Sequence, residues 1–224
     1  MSLPEGREVG DLAGFHYRYD RPAACDAPGG DGWTLLLLHG TGGDETQLTG
    51  LGRQLLQGAA QLSPRGNVSE GGAPRFFARL ALNRFDPAEV ERGADALAGF
   101  VRAAAVEHGI DLAKTVAVGY SNGANVALAA MQRHPGLLRG AVLLRAMLVL
   151  DPEAGDPLNG VDLLALGGER DPLIDATGYA RLVEVTRDQG ATVQAHVERG
   201  VGHDLGPGDV ATATAWLSTL TQAT

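Results

Sequence analysis

The 224 residues suffice for one domain with a large core and fall short of two average ones at about 150 residues each. A hydrophobic fraction of 44% with 20% charged residues argues against an intrinsically disordered chain. The net charge of −9 argues against nucleic acid or an anionic membrane surface as main partner, because both require a basic footprint. A single cysteine, Cys25, leaves no intrachain disulfide and excludes a secreted disulfide scaffold. Met1 to Phe15 has no apolar core like that of a signal peptide, and the most apolar stretch, Ala141 to Leu150, is too short to span a bilayer and is broken by Arg145. The expectation is a soluble, cytoplasmic protein without stable membrane association, folded as one domain over residues 1–224.

In chain order, Phe15 to Tyr19 alternates and reads as an edge strand, and Thr34 to Leu38 is a continuous apolar run that reads as a buried central strand. A helix is expected from about Thr46, with Leu48, Leu51 and Leu55 on one face, then a Gly- and Pro-rich loop from Ser63 to Pro74. Asp86-Pro87-Ala88-Glu89 opens a second helix, with Asp86 as N-cap, Pro87 at the first helical position and Glu89 placed to close a capping box. That helix stops at His108-Gly109. Thr115 to Val118 is the next buried strand and runs into Gly119 to Gly123 and an Ala-rich helix. Strands at Ala141 to Leu144 and Val161 to Leu166 follow, then a helix from Ala176 to Gln189, a strand from Ala191 to Val197, and a last helix for which Asp209 is the expected cap. This alternation describes an α/β fold around a mostly parallel sheet.

Gly119-Tyr120-Ser121-Asn122-Gly123 matches G-x-S-x-G. With 32 glycines in the chain the match alone is modest evidence; its context, a buried strand before and a helix directly after, is stronger. A serine in so sharp a turn exposes its hydroxyl, and the helix N-terminus behind it favours developing negative charge. Its hydroxyl needs a base. Downstream lie His134, His196 and His203. His134 ends the helix that Ser121 starts and His196 lies inside a strand, whereas His203 sits in a Gly-rich turn past the last strand and is favoured. The acid is expected after the penultimate strand, at Asp171, stiffened by Pro172. Its competitors are Asp175, better used as a helix cap, and Glu169, read as a solvated loop charge. His39-Gly40-Thr41-Gly42-Gly43-Asp44 could cradle phosphate, but it lacks G-K-[ST], and Asp44 and Glu45 would repel an anion. It reads better as an oxyanion hole, with the Thr41 and Asn122 backbone N–H groups as donors and His39 as a structural hydrogen-bonding residue. No spacing suits a metal, and neither a metal nor another cofactor is expected.

These residues, with Arg65-Gly66-Asn67-Val68, Pro74-Arg75-Phe76-Phe77, Arg170-Asp171-Pro172 and Gly202-His203, resemble the phospholipase/carboxylesterase family of α/β-hydrolases, the group that includes acyl-protein thioesterases. The small bacterial carboxylesterase branch is the nearest in pattern. The resemblance implies an α/β-hydrolase fold with helices on both faces of the sheet. It also implies Ser121, Asp171 and His203 as nucleophile, acid and base, with Thr41 and Asn122 at the oxyanion. Thr41 stands where the better-known thioesterases carry leucine, and Asn122 where they carry glutamine. Phe76 and Phe77 are adjacent aromatics, and at least one of them is expected in the core; the resemblance places the segment beside the site, so that one ring walls the acyl pocket while Arg65 or Arg75 meets a polar or anionic substrate end. Fewer than twenty residues separate the strand ending at Leu144 from the next at Val161, and Asp151-Pro152, Asp156-Pro157 and Asn159-Gly160 are turn signals, so no lid domain is expected. Met147 and Leu148 could line one side of the site. The expected substrate is a small or short-acyl ester; a thioesterase or lysophospholipase with the same triad is the alternative, and a non-catalytic binding protein on the same fold is disfavoured by the complete set. A homodimer is compatible with this reading.

Overall fold

The computed structural model describes residues 6–21, 32–150 and 155–222. Cys25 and the Asp151-Pro152 turn signal lie outside the described residues.

The chain begins with a hairpin, β1 (Arg7–Leu12) and β2 (Phe15–Asp20), closed by Ala13 and Gly14 at φ 47° and 84°. Positive φ at both turn residues matches the twist of a tight hairpin. β3 (Thr34–Leu38), α1 (Thr49–Leu55) and β4 (Ala60–Pro64) follow, then a small hairpin of β5 (Val68–Glu70) and β6 (Ala73–Arg75). α2 (Pro87–His108) leads through a short 3₁₀ turn to β7 (Thr115–Tyr120), α3 (Asn122–Arg133), β8 (Gly140–Leu144), β9 (Asp162–Gly168), α4 (Ala176–Asp188), β10 (Thr192–Glu198) and α5 (Pro207–Gln222). The main sheet runs β1-β2-β4-β3-β7-β8-β9-β10, antiparallel at the first three strands and parallel from β4 onward.

β3 shows why the sequence reads as a two-sided sheet. Leu36 and Leu38 join the core formed with α2, α3 and α4, while Leu35 and Leu37 join the core formed with α1 and α5. Side chains alternate across a strand, so an unbroken apolar run is stable only with helices on both faces. α2 is set as expected: Asp86 Oδ1 accepts from Ala88 N–H at 3.0 Å, and Gly109 ends the helix at φ 67°. Glu89, expected to close a capping box, pairs with Arg92 instead.

Several boundaries differ from expectation. α1 starts at Thr49 because Asp44 Oδ1 accepts from the Thr46 N–H at 2.8 Å and from its hydroxyl at 2.6 Å, holding residues 44–48 in turns. The expected loop from Ser63 holds the end of β4, whose polar Gln61 and Ser63 are buried and hide the strand from an apolar pattern. It also holds the β5–β6 hairpin, turned by Gly71 and Gly72 at φ 58° and 89°. β2 is interior to the sheet because β1 takes the edge. Asp209 is not the residue that precedes α5 but lies in its first turn, where Oδ2 accepts from the Gly206 N–H at 2.8 Å and the carboxylate is buried against Arg145.

Candidate active site

β7 delivers Ser121 to the end of the sheet. The serine has φ 52° and ψ −114°, a conformation that non-glycine residues avoid, and α3 begins at the next residue. Gly119 and Gly123 are required for contact reasons. A Cβ on Gly119 would lie 2.6 Å from the Ala124 backbone, and one on Gly123 would lie 2.0 Å from Leu38 O. The strand and helix can therefore approach closely enough to hold the turn only if both positions lack side chains. The Ser121 N–H is fixed to Leu144 O at 2.9 Å.

The three residues singled out from separate segments meet in one hydrogen-bonded line. His203 Nε2 is 2.9 Å from Ser121 Oγ and Nδ1 is 2.8 Å from Asp171 Oδ2. One tautomer satisfies both bonds: Nδ1–H donates to the carboxylate, and Nε2 accepts from the serine hydroxyl. The Asp171 side chain is 1% exposed, and Oδ1 accepts from Leu173 N–H at 2.8 Å and Ile174 N–H at 3.2 Å. Both carboxylate oxygens are thus bonded, which fixes the one facing His203. The competitors are occupied elsewhere. Asp175 caps α4 through Gly178 N–H at 2.7 Å, His196 pairs with Glu198 at 3.1 Å on edge strand β10, and His134 pairs with Asp95 at 2.9 Å. Glu169 is exposed, but its carboxylate also accepts from Gly200 N–H at 2.7 Å and so ties down the turn before His203.

That turn is held by groups the sequence reading did not use. Three consecutive carbonyls are taken: Gly202 O by Arg145 Nε at 3.0 Å, His203 O by the Tyr120 hydroxyl at 3.2 Å, and Asp204 O by Arg145 Nη2 at 2.9 Å. Arg145 is itself buried and bonded to both carboxylate oxygens of Asp209, at 3.0 and 2.6 Å. A charged residue interrupting the most apolar stretch of the chain was the available signal, since a buried guanidinium requires a partner.

The other side of Ser121 is assembled by β6 and the residues beside it. Pro74 O accepts from Gly42 N–H at 3.0 Å, Arg75 Nη1 donates to Thr41 Oγ1, and Phe76 N–H donates to Asn122 Oδ1 at 2.8 Å. Residues 74–76 therefore fasten both Thr41 and Asn122, the two expected oxyanion donors. Asn122 is the first residue of α3, where N–H groups have no intrahelical acceptor. His39 completes this frame, with Nδ1 2.7 Å from Gly40 O and Nε2 accepting from Gly66 N–H at 2.8 Å. Burial pushes its pKa below the usual 6.5.

A cavity of about 190 Å³ opens over Ser121, and Thr41, Asn122, His203, Arg75 and Met147 are among its walls. Phe76 and Phe77 are not. They are 1% and 0% exposed and pack into the core beneath it, against Phe15 and Phe85. Their burial corrects the expectation that one of them walls the pocket; Phe85 and Leu82 take that place. Arg65 is also absent from the walls, because it forms a two-pronged ion pair with Glu45 at 2.6 and 2.8 Å. No helix covers the cavity from residues 145–150 or 155–161, the described part of the β8–β9 connection. Among the described residues, no helix is long and apolar enough to cross a membrane, and no group of three or more His, Cys, Asp or Glu is placed to hold a metal.

The strand order and the serine turn define an α/β-hydrolase. Residues 31–221 match the family described as phospholipase/carboxylesterase, and the chain belongs to that family. It is similar to the Mesorhizobium loti carboxylesterase (36% identity, TM-score 0.85, covering 96% of this chain and 99% of that one). It is also similar to the Bacillus cereus carboxylesterase (34% identity, TM-score 0.84, covering 92% and 94%). A third relative is the putative hydrolase MhqD of Bacillus subtilis, 36% identical over 182 residues, which are 81% of this chain and 90% of MhqD.

Proposed function

We propose that the protein is a serine carboxylic-ester hydrolase that works through an acyl-enzyme. The observation that carries this reading is the pair of hydrogen bonds made by His203, 2.9 Å to Ser121 and 2.8 Å to Asp171, both within general-base reach. Ser121 Oγ attacks the ester carbonyl carbon as Nε2 takes its proton, and Asp171 stabilises the imidazolium while holding the ring. The carbonyl oxygen, now negative, rests on the N–H groups of Thr41 and Asn122. Collapse of this intermediate expels the alcohol, which leaves with the proton from Nε2. Water, deprotonated by the same nitrogen, then attacks the acyl carbon and releases the acid and free Ser121.

The size of the cavity, below the roughly 300 Å³ at which pockets for larger ligands begin, supports a small ester as substrate. The test is hydrolysis of 4-nitrophenyl acetate by the wild type and by three variants. Ser121→Ala and His203→Ala should lose at least about a thousandfold in kcat, with His196→Ala close to wild type. Full activity in Ser121→Ala would refute the reading.

A further inference from the structure

We propose that the esters this site turns over carry a carboxylate and that Arg79 receives it; the proposal rests on the ester-hydrolase reading above. The walls of the cavity over Ser121 include Arg75, Arg79 and Arg145 but no aspartate or glutamate. This is the reverse of the chain as a whole, whose net charge is −9.

The three guanidinium groups are not equivalent. Arg145 is matched by the buried carboxylate of Asp209. Arg75 and Arg79 have one carboxylate between them, Glu70, at 3.4 and 2.7 Å. The three guanidinium groups thus carry one positive charge more than the two carboxylates paired with them. Arg75 is 3% exposed and committed to the protein, with Nε donating to Phe77 O at 3.0 Å and Nη1 donating to Thr41. Among the described residues, the Arg79 side chain makes one hydrogen bond, from Nε to Glu70, and it is 34% exposed at the rim. Its guanidinium is thus oriented by Glu70 yet open to solvent, so an incoming anion need not strip a fully hydrated, freely rotating cation. A planar guanidinium fork matches a carboxylate, and the bond is charge-assisted. Leu82, Phe85, Leu173 and Ile174 supply apolar surface on the same walls, suited to a short carbon skeleton. The ligand that fits is a small ester with one carboxylate, on either the acyl or the alcohol side.

Two substrate pairs separate these sides; the acyl-side pair shares one leaving group, and in the alcohol-side pair the methyl ester releases the more acidic phenol, which works against the preference sought. Mono-4-nitrophenyl glutarate is compared with its methyl ester for an acyl-side carboxylate. 4-Acetoxybenzoate is compared with methyl 4-acetoxybenzoate for an alcohol-side one. In at least one pair, kcat/KM for the free acid should exceed that for the methyl ester by about tenfold or more, the range of a charge-assisted hydrogen bond. Arg79→Gln should remove that preference, Arg79→Lys should retain part of it, and Arg79→Glu should reverse it. The methyl ester being preferred in both pairs, or a preference for the acid unchanged in Arg79→Gln, would overturn the proposal while leaving the hydrolase reading intact. Turnover of the methyl esters that survives in Ser121→Ala would contradict the hydrolase reading itself.

Discussion

Arg145 and Asp209, 64 residues apart, form an ion pair whose side chains are 0% and 1% exposed, and the same guanidinium holds the turn that carries His203. Arg145 adopts φ 56° directly after β8, and its N–H is bonded to Leu166 O at 2.9 Å. The pair thus links the end of β8, the end of β9, the His203 turn and the start of α5.

Breaking this pair should be costly in two separable ways. Arg145→Met leaves Asp209 charged, buried and unpaired, and should destabilise by about 3–5 kcal/mol. The double variant Arg145→Met/Asp209→Leu removes both charges and should regain much of that stability. It should not regain activity, because the carbonyls of Gly202 and Asp204 lose their donor and His203 loses its fixed position. Urea midpoints and kcat for both variants check this. Wild-type kcat in the double variant would show that the turn needs no such anchor.

The two aspartates after β9 should respond oppositely to the same change. Asp171→Asn should preserve the fold and reduce kcat by about four orders of magnitude, because the amide no longer selects the tautomer with Nε2 free to accept. Asp175→Asn should leave kcat near wild type and melting temperature within a few degrees, since asparagine caps helices well. Loss of activity confined to Asp175→Asn would remove Asp171 from its proposed role.

His39 makes stability pH-dependent in a stated direction. Burial holds its folded pKa below 6.5, while the unfolded chain protonates near 6.5. Below that value the unfolded state binds the extra proton, so the contribution of His39 is full at neutral pH and is lost as pH falls through the depressed folded pKa. Protonation also removes the Nε2 acceptor that holds Gly66 N–H. Unfolding free energies measured from pH 7.5 to 5.0 should therefore fall more steeply for the wild type than for His39→Gln. Parallel curves would contradict the assignment.

Acyl length should be limited by the cavity of about 190 Å³. A longer chain gains about 0.8 kcal/mol per methylene only where that methylene is buried. For 4-nitrophenyl esters, kcat/KM should peak at short acyl groups and show no jump above the solubility limit. A maximum at palmitate would reveal an apolar channel absent from this geometry.

Much of this architecture is legible in the residues. The apolar run Thr34 to Leu38, the Asp86 cap and the serine turn each carry a local signal, and each local signal agrees with the fold around it. Ser121, Asp171 and His203 could be singled out because topology restricts where such groups can stand. β4 escaped because Gln61 and Ser63 are polar yet buried. Phe76 and Phe77 were misplaced because adjacency to a site says nothing about which way a side chain turns. Arg65 and Arg75 look alike in sequence, and only tertiary contact distinguishes a pair with Glu45 from a donor to Thr41. The support beneath the site, Arg145 with Asp209 and Tyr120 with the His203 carbonyl, consists of contacts between distant segments that no local pattern records.

The most direct measurement is covalent labelling with a fluorophosphonate followed by peptide mass spectrometry. One adduct is expected, on Ser121, formed rapidly in the wild type, strongly slowed in His203→Ala and absent in Ser121→Ala. A wild-type protein that hydrolyses 4-nitrophenyl acetate yet carries no adduct on Ser121, or carries it on another residue, would contradict Ser121 as the nucleophile.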